Sequence, residues 1–258
     1  MSPAPDRARA LALRAVEVAT GAGAGQAEAL VIASASALTR YADNRIHQNV
    51  LTEDTGVSVR AVLGRRVGVA STNRVDDEGL RACCAAAVEA ARHAPEDPDF
   101  PGLPAPRPVV AADRTAKATR DLDATRRAVA VGAIVEACAS SGLTAAGTVS
   151  VSDDAAAVAN SLGVDSAMGT TACRATVVST GPDGASGWAS FAGNDASDLD
   201  PDALGREAAS LALRSARPGR LQPGEYTVVL APDAVADIVQ FLGWYGCSAK
   251  AVDEGRSF

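Results

Sequence analysis

The chain has 258 residues, 47% of them hydrophobic but only 3% aromatic, and a formal net charge of −7 from 31 Asp+Glu against 24 Lys+Arg. That length suits one large domain or two ordinary ones, with a core of many small Ala, Val and Leu contacts. The acidic balance argues against a nucleic-acid or anionic-membrane partner, because both select a basic surface.

The first helix is expected to start at Asp6, as its cap, and to run to about Thr20, with Leu11, Ala15 and Val18 on its buried side. Glycine-rich residues 21–25 end it, and a strand follows at 28–37. After an Asp43-Asn44 turn, residues 45–51 alternate, with Ile46, Gln48 and Val50 on one face and Arg45, His47 and Asn49 on the other. Val57, Val59, Ala61 and Leu63 alternate in the next strand, and 67–72 returns after a tight Gly64-Arg65 turn. This is an antiparallel meander. Asp76 opens a helix with Leu80, Cys84, Ala87, Val88 and Ala91 on one face.

Residues 95–108 are proline-rich and read as an extended, semi-rigid linker. A helix is expected at 123–140, with Ala124, Ala128, Val131, Val135 and Cys138 buried. Strands are expected at 144–152, 155–160, 166–180 and 184–192, the last two joined by a turn at 181–184. Asp200-Pro201 starts a helix with Leu204, Ala208, Leu211 and Ala212 on one face. Both halves thus read helix, strands, helix, a pattern compatible with duplication, though no residue-level repeat supports it. A further strand at 226–230 and a helix from Pro232, with Val235, Ile238, Val239 and Leu242 on one face, begin another body. The expected fold class is α+β: two consecutive units of antiparallel sheet packed with helices, then the start of a third domain. The expected boundaries are 1–94, a linker at 95–120, 121–219, and an incomplete 222–258.

Met1–Arg7 lacks the apolar core of a signal peptide, and no apolar run is long enough to span a bilayer. The five cysteines have no regular spacing, so a cytoplasmic location with reduced thiols is expected. The two histidines, His47 and His93, cannot form a zinc-binding pair on one helix. Cys83, Cys84, Cys138 and Cys173 read as small core residues, and Cys247 is the thiol outside an apolar pattern. The Gly21–Gly25 run follows a helix, the reverse of a dinucleotide loop. The acidic groups Asp153-Asp154 and Asp195, Asp198, Asp200 read as solvated loops and a helix cap.

Three segments together resemble the TldD/PmbA family of metalloprotease subunits. They are Glu53-Asp54-Thr55-Gly56-Val57-Ser58-Val59-Arg60 with Gly64 and Val67-Gly68-Val69-Ala70-Ser71-Thr72-Asn73; Ala159-Asn160-Ser161-Leu162-Gly163; and Pro223-Gly224-Glu225-Tyr226-Thr227-Val228-Val229-Leu230-Ala231-Pro232 with Gly255-Arg256-Ser257-Phe258. The resemblance implies a pair of related subunits, one with a His-Glu-x-x-x-His zinc helix after the strand matching 226–230. Here the matching helix, 233–242, has no histidine, so no catalytic or metal residue carries over. This implies the non-catalytic, PmbA/TldE-like partner, with no cofactor of its own and zinc in a TldD-like subunit. The implied substrates are peptides and small or unfolded proteins, and Trp244 and Tyr245 are candidate cleft aromatics. Two other readings stand beside it: a hydrolase using Cys247 or a site completed beyond Phe258, and a peptide-binding assembly module with no protease role.

Overall fold

The computed structural model describes residues 4–109 and 114–258. Met1–Pro3 and residues 110–113, parts of the N-terminal and linker readings, lie outside the described residues. The chain divides into two compact units, Met1–Arg217 and Pro218–Phe258.

The first unit contains α1 (Pro5–Gly21), β1 (Gln26–Ala42), β2 (Arg45–Leu63), β3 (Arg66–Thr72) and α2 (Asp77–His93). The short α3 (Lys117–Arg120) follows, then α4 (Ala124–Ala139), β4 (Thr144–Asn160), β5 (Asp165–Thr180), β6 (Ser186–Gly193) and α5 (Pro201–Ser215). The fold class is α+β. All six strands form a single antiparallel sheet in the order β3-β2-β1-β4-β5-β6. The halves α1-β1-β2-β3-α2 and α4-β4-β5-β6-α5 have the same topology and meet where β1 pairs antiparallel with β4, with Ala35 opposite Asp153. The arrangement approximates a two-fold axis through that seam, so the sequence-level hint of duplication has a counterpart in topology.

The helices cover one face. Ala27, Ala29 and Val31 of β1 join Ala155, Ala157 and Ala159 of β4 beneath α1 and α2. Tyr41, Ala145, Val149, Ala175 and Val177 form the second core beneath α4 and α5. These cores are dense in alanine because strands and helices approach closely. Gly68 of β3 and Gly187 of β6 mark the closest approaches. A Cβ at Gly68 would lie 2.2 Å from Ala87 O, and one at Gly187 would lie 2.1 Å from Ala208 O. Tyr41, the largest fully buried side chain, satisfies its hydroxyl by donating to Thr176 O at 2.9 Å. The opposite sheet face carries a mixture of hydroxyls and exposed apolar residues, Leu30, Ile32 and Met168 among them.

Several local expectations change. The cap of α1 is Ala4, with Pro5 at the first helical position and Asp6 inside the first turn. The separate strands expected at 45–51 and 57–63 are one strand, β2, as are those at 144–152 and 155–160, β4. Continuous pairing with β1 carries each through its polar middle, so Asp153 and Asp154 are strand residues rather than a loop. The register shifts between Arg40 and Tyr41: Arg40 faces Gln48, but Tyr41 faces Ile46. His47 is therefore a β-bulge residue, and the expected alternation of 45–51 is broken there. The buried stripe of α4 contains Arg127, Val131, Ile134 and Cys138, whereas Ala124 is exposed. The proline-rich stretch is fastened to the sheet: Leu103 N–H donates to Gln26 Oε1 and Asn160 Nδ2 donates to Pro104 O.

The second unit contains α6 (Pro232–Gly246) and α7 (Ala249–Asp253). Residues 226–230 form no strand, since no described segment pairs with them, and they are exposed. A β-rich run without a neighbour leaves its backbone to water.

Candidate functional site: a groove beside an open strand edge

The strands β2 and β3 differ in length, 19 residues against 7. β3 covers only Val57–Leu63 of β2. Beyond residues 45–52 lies no further strand among the described residues. That edge is exposed along its length and carries Ile46, Val50 and Leu51. Its bulge at His47 and its charge at Arg45 are devices that discourage uncontrolled strand pairing. An extended peptide could add there through main-chain hydrogen bonds alone.

Beside this edge, on the helix-bearing face, a groove of about 460 Å³ lies between β2, the seam strands and the start of α4. Ala35, Ala37 and Val151 give it a small-residue floor, and Leu51 and Leu122 add apolar walls. Four ionic side chains line it. Arg120 pairs with Asp153, Nε to Oδ2 at 3.0 Å. Asp123 accepts from Arg126 N–H and caps α4. Arg127 is only 4% exposed. It donates to Thr39 Oγ1 at 3.1 Å, Asn49 Oδ1 at 3.0 Å and Leu122 O at 2.8 Å, tying α4 to β1 and β2. Burial lowers its pKa from the ordinary guanidinium value, with Asp123 opposing. A guanidinium stays charged in proteins, so this is a buried cation. Arg127 lies four residues before Val131 and seven before Ile134, on the core stripe, a spacing that marks the position but not the burial of its charge.

The resemblance implies zinc in a related subunit and none in this chain. Among the described residues no group of three or more His, Cys, Asp or Glu could hold a metal ion. His47 is exposed at the bulge, and the His93 ring hydrogen-bonds Glu89 of its own helix at 2.9 Å. The helix α6 carries Asp233 and Asp237 but no histidine. The residues present do not fit the metal.

Trp244 and Tyr245 are 73% and 76% exposed on α6. Both contact Phe241, Trp244 edge-on at 6.4 Å and Tyr245 stacked at 6.2 Å, making an exposed aromatic cluster. Asp154 accepts from Ser34 and Ser152, and Asp195 and Asp200 cap short and long helices. Cys83, Cys84, Cys138 and Cys173 are buried, and Cys247 is exposed. Burial raises the pKa of Cys84 and Cys173 to about 11, so both are thiols at neutral pH. Iodoacetamide applied to the native chain should therefore label one cysteine, Cys247, with unfolding needed to expose the other four. Peptide mass mapping checks this, and rapid native labelling of Cys83 or Cys173 would contradict the packing described.

The matched regions define a class of protein. The PmbA/TldA metallopeptidase domain 1 matches residues 27–91, and the PmbA/TldA metallopeptidase central domain matches residues 98–216. The chain belongs to the PmbA/TldD metallopeptidase family. No curated protein sequence matches it. Solved structures share the fold. TldE from Thermococcus kodakarensis is 16% identical with a TM-score of 0.67, over 78% of this chain and 46% of that one. A proposed modulator of DNA gyrase from Bacteroides thetaiotaomicron is 18% identical with a TM-score of 0.76, over 93% and 57%. Another from Thermotoga maritima is 16% identical with a TM-score of 0.65, over 79% and 47%. The chain spans about half the length of these structures. Among the described residues no helix is long and apolar enough to cross a membrane.

Proposed function

We propose that this chain is the non-catalytic partner subunit of a heterodimeric zinc metallopeptidase, located in the cytoplasm. It helps to form the cleft in which peptides and small unfolded proteins are held against a related, zinc-bearing TldD-like subunit. The observation that carries the reading is the histidine-free α6, in a chain of a metallopeptidase family whose described residues offer no metal cluster. The open edge of β2 supplies a sequence-tolerant way to hold substrate, because strand addition uses backbone groups that every peptide has. Trp244 and Tyr245 are the aromatic candidates for the cleft in the second unit. We also read the chain as an N-terminal domain at 1–94, a linker at 95–120, a middle domain at 121–219 and the beginning of a third at 222–258.

The test is reconstitution. Elemental analysis of this protein should find far less than one zinc per chain. It should co-elute with a His-Glu-x-x-x-His-bearing relative in size-exclusion chromatography, and peptide hydrolysis should require both. A zinc subunit that is equally active without this protein would overturn the partner role, and near-stoichiometric zinc here would overturn the non-catalytic one.

A further inference from the structure

The first helices of the two topologically equivalent halves differ in charge at one buried position. In α1 the fourth helical residue is Ala8, 3% exposed, packed into the first core. In α4 the fourth helical residue is Arg127, 4% exposed. Where one half places a methyl group, the other places a cation, and a buried cation is costly unless it is paired.

Arg127 has no carboxylate at ion-pair distance among the described residues. Its acceptors are a hydroxyl, an amide oxygen and a backbone carbonyl, all neutral. Asp123 acts on it only through space and is engaged at the α4 N-terminus, while Arg120 is matched by Asp153. A guanidinium has five N–H groups. Three are used, which leaves one on each terminal nitrogen without an acceptor among the described residues. One unused N–H on each terminal nitrogen is the donor count that a bidentate carboxylate needs. The side chain borders the groove, and the open β2 edge, at Val50 and Leu51, forms part of the groove's lining.

We propose that this groove is a carboxylate site, in which Arg127 holds the C-terminal carboxylate of an extended peptide lying along the edge of β2. The inference rests on the peptide-holding role given to that edge above. The net charge of −7 opposes general attraction of anions, so a preference for a carboxylate must come from a local site. The small floor of Ala35 and Ala37 leaves room for a terminal residue.

The experiment compares two forms of one N-terminally labelled, uncharged hexapeptide of alanine, serine and threonine, with a free C-terminal acid or an amide. Binding to the 258-residue chain is read by fluorescence anisotropy. The acid is expected to bind about tenfold or more tightly than the amide, the ratio expected of charge-assisted hydrogen bonds. Arg127→Gln should abolish the preference, and Arg127→Lys should keep part of it. Equal binding of acid and amide to the unmodified chain overturns the carboxylate site and leaves the edge reading standing. Failure of both forms to bind overturns the edge reading and the carboxylate site with it. A purely structural arginine would lower the melting temperature on substitution without changing the acid-to-amide ratio, and a folded Arg127→Gln chain that keeps the preference overturns the role of Arg127. Should that variant not fold, the comparison on the unmodified chain still decides.

Discussion

Gly68→Ala and Gly187→Ala should each lower the melting temperature of the first unit by about 6–12 °C, from a loss of roughly 3 kcal/mol. The added methyl at Gly68 would meet Ala87 O and Ala91 N at 2.2 Å, and the one at Gly187 would meet Ala208 O at 2.1 Å and Ala212 N at 2.4 Å. All four are backbone atoms of α2 or α5, so no side chain can swing aside. The helix must lift from the edge strand, opening the alanine contacts on which these cores depend. Gly132→Ala in α4 is the control, because nothing lies within 4 Å of its added Cβ. It should be neutral or stabilising by up to about 1 kcal/mol, since alanine is the better helix former. Thermal melts followed by circular dichroism separate the cases. A Gly68→Ala chain melting within about 2 °C of the parent would show that α2 is not held as described.

The second large effect concerns α6. In the 258-residue chain its backbone amides should exchange with solvent at least about a thousandfold faster than those of α4. Val235, Ile238, Val239 and Leu242 form its apolar stripe and are 42–59% exposed, whereas Val131 and Ile134 of α4 are almost fully buried. Burying such a side chain is worth about 1.5–3 kcal/mol, and a helix of this length is marginal in water without it. Limited proteolysis should cut first near Arg217 and Arg220, or after Lys250, leaving the six-stranded sheet intact. Hydrogen exchange by mass spectrometry gives the ratio. If α6 in a monomer is as protected as α4, the stripe has a cover and the expectation fails.

Much of the first unit is legible along the chain. The alternation of Val57, Val59 and Ala61, the caps at Asp76, Asp123 and Asp200, and the stripe of α2 all act within a few residues, and each holds in three dimensions. The family resemblance was legible for the same reason, since its motifs are short runs in a fixed order. Breaks inside long strands were misread because polar stretches such as residues 52–56 and 152–154 resemble turns when seen alone. Their pairing partners on β1 lie roughly 20 to 120 residues away and carry the strand through.

The sequence by itself determined the four long helices of the first unit, the α+β class and the absence of a histidine on α6. Only the tertiary structure decided that the two halves share one sheet, that β2 outruns β3, and that Arg127 is buried beside that open edge. Periodicity and caps are local, so one strand of text records them. An edge exists only where a neighbour stops, and a charge is buried only when distant strands close over it. Both depend on pairing between residues far apart in the chain, which local spacing does not encode.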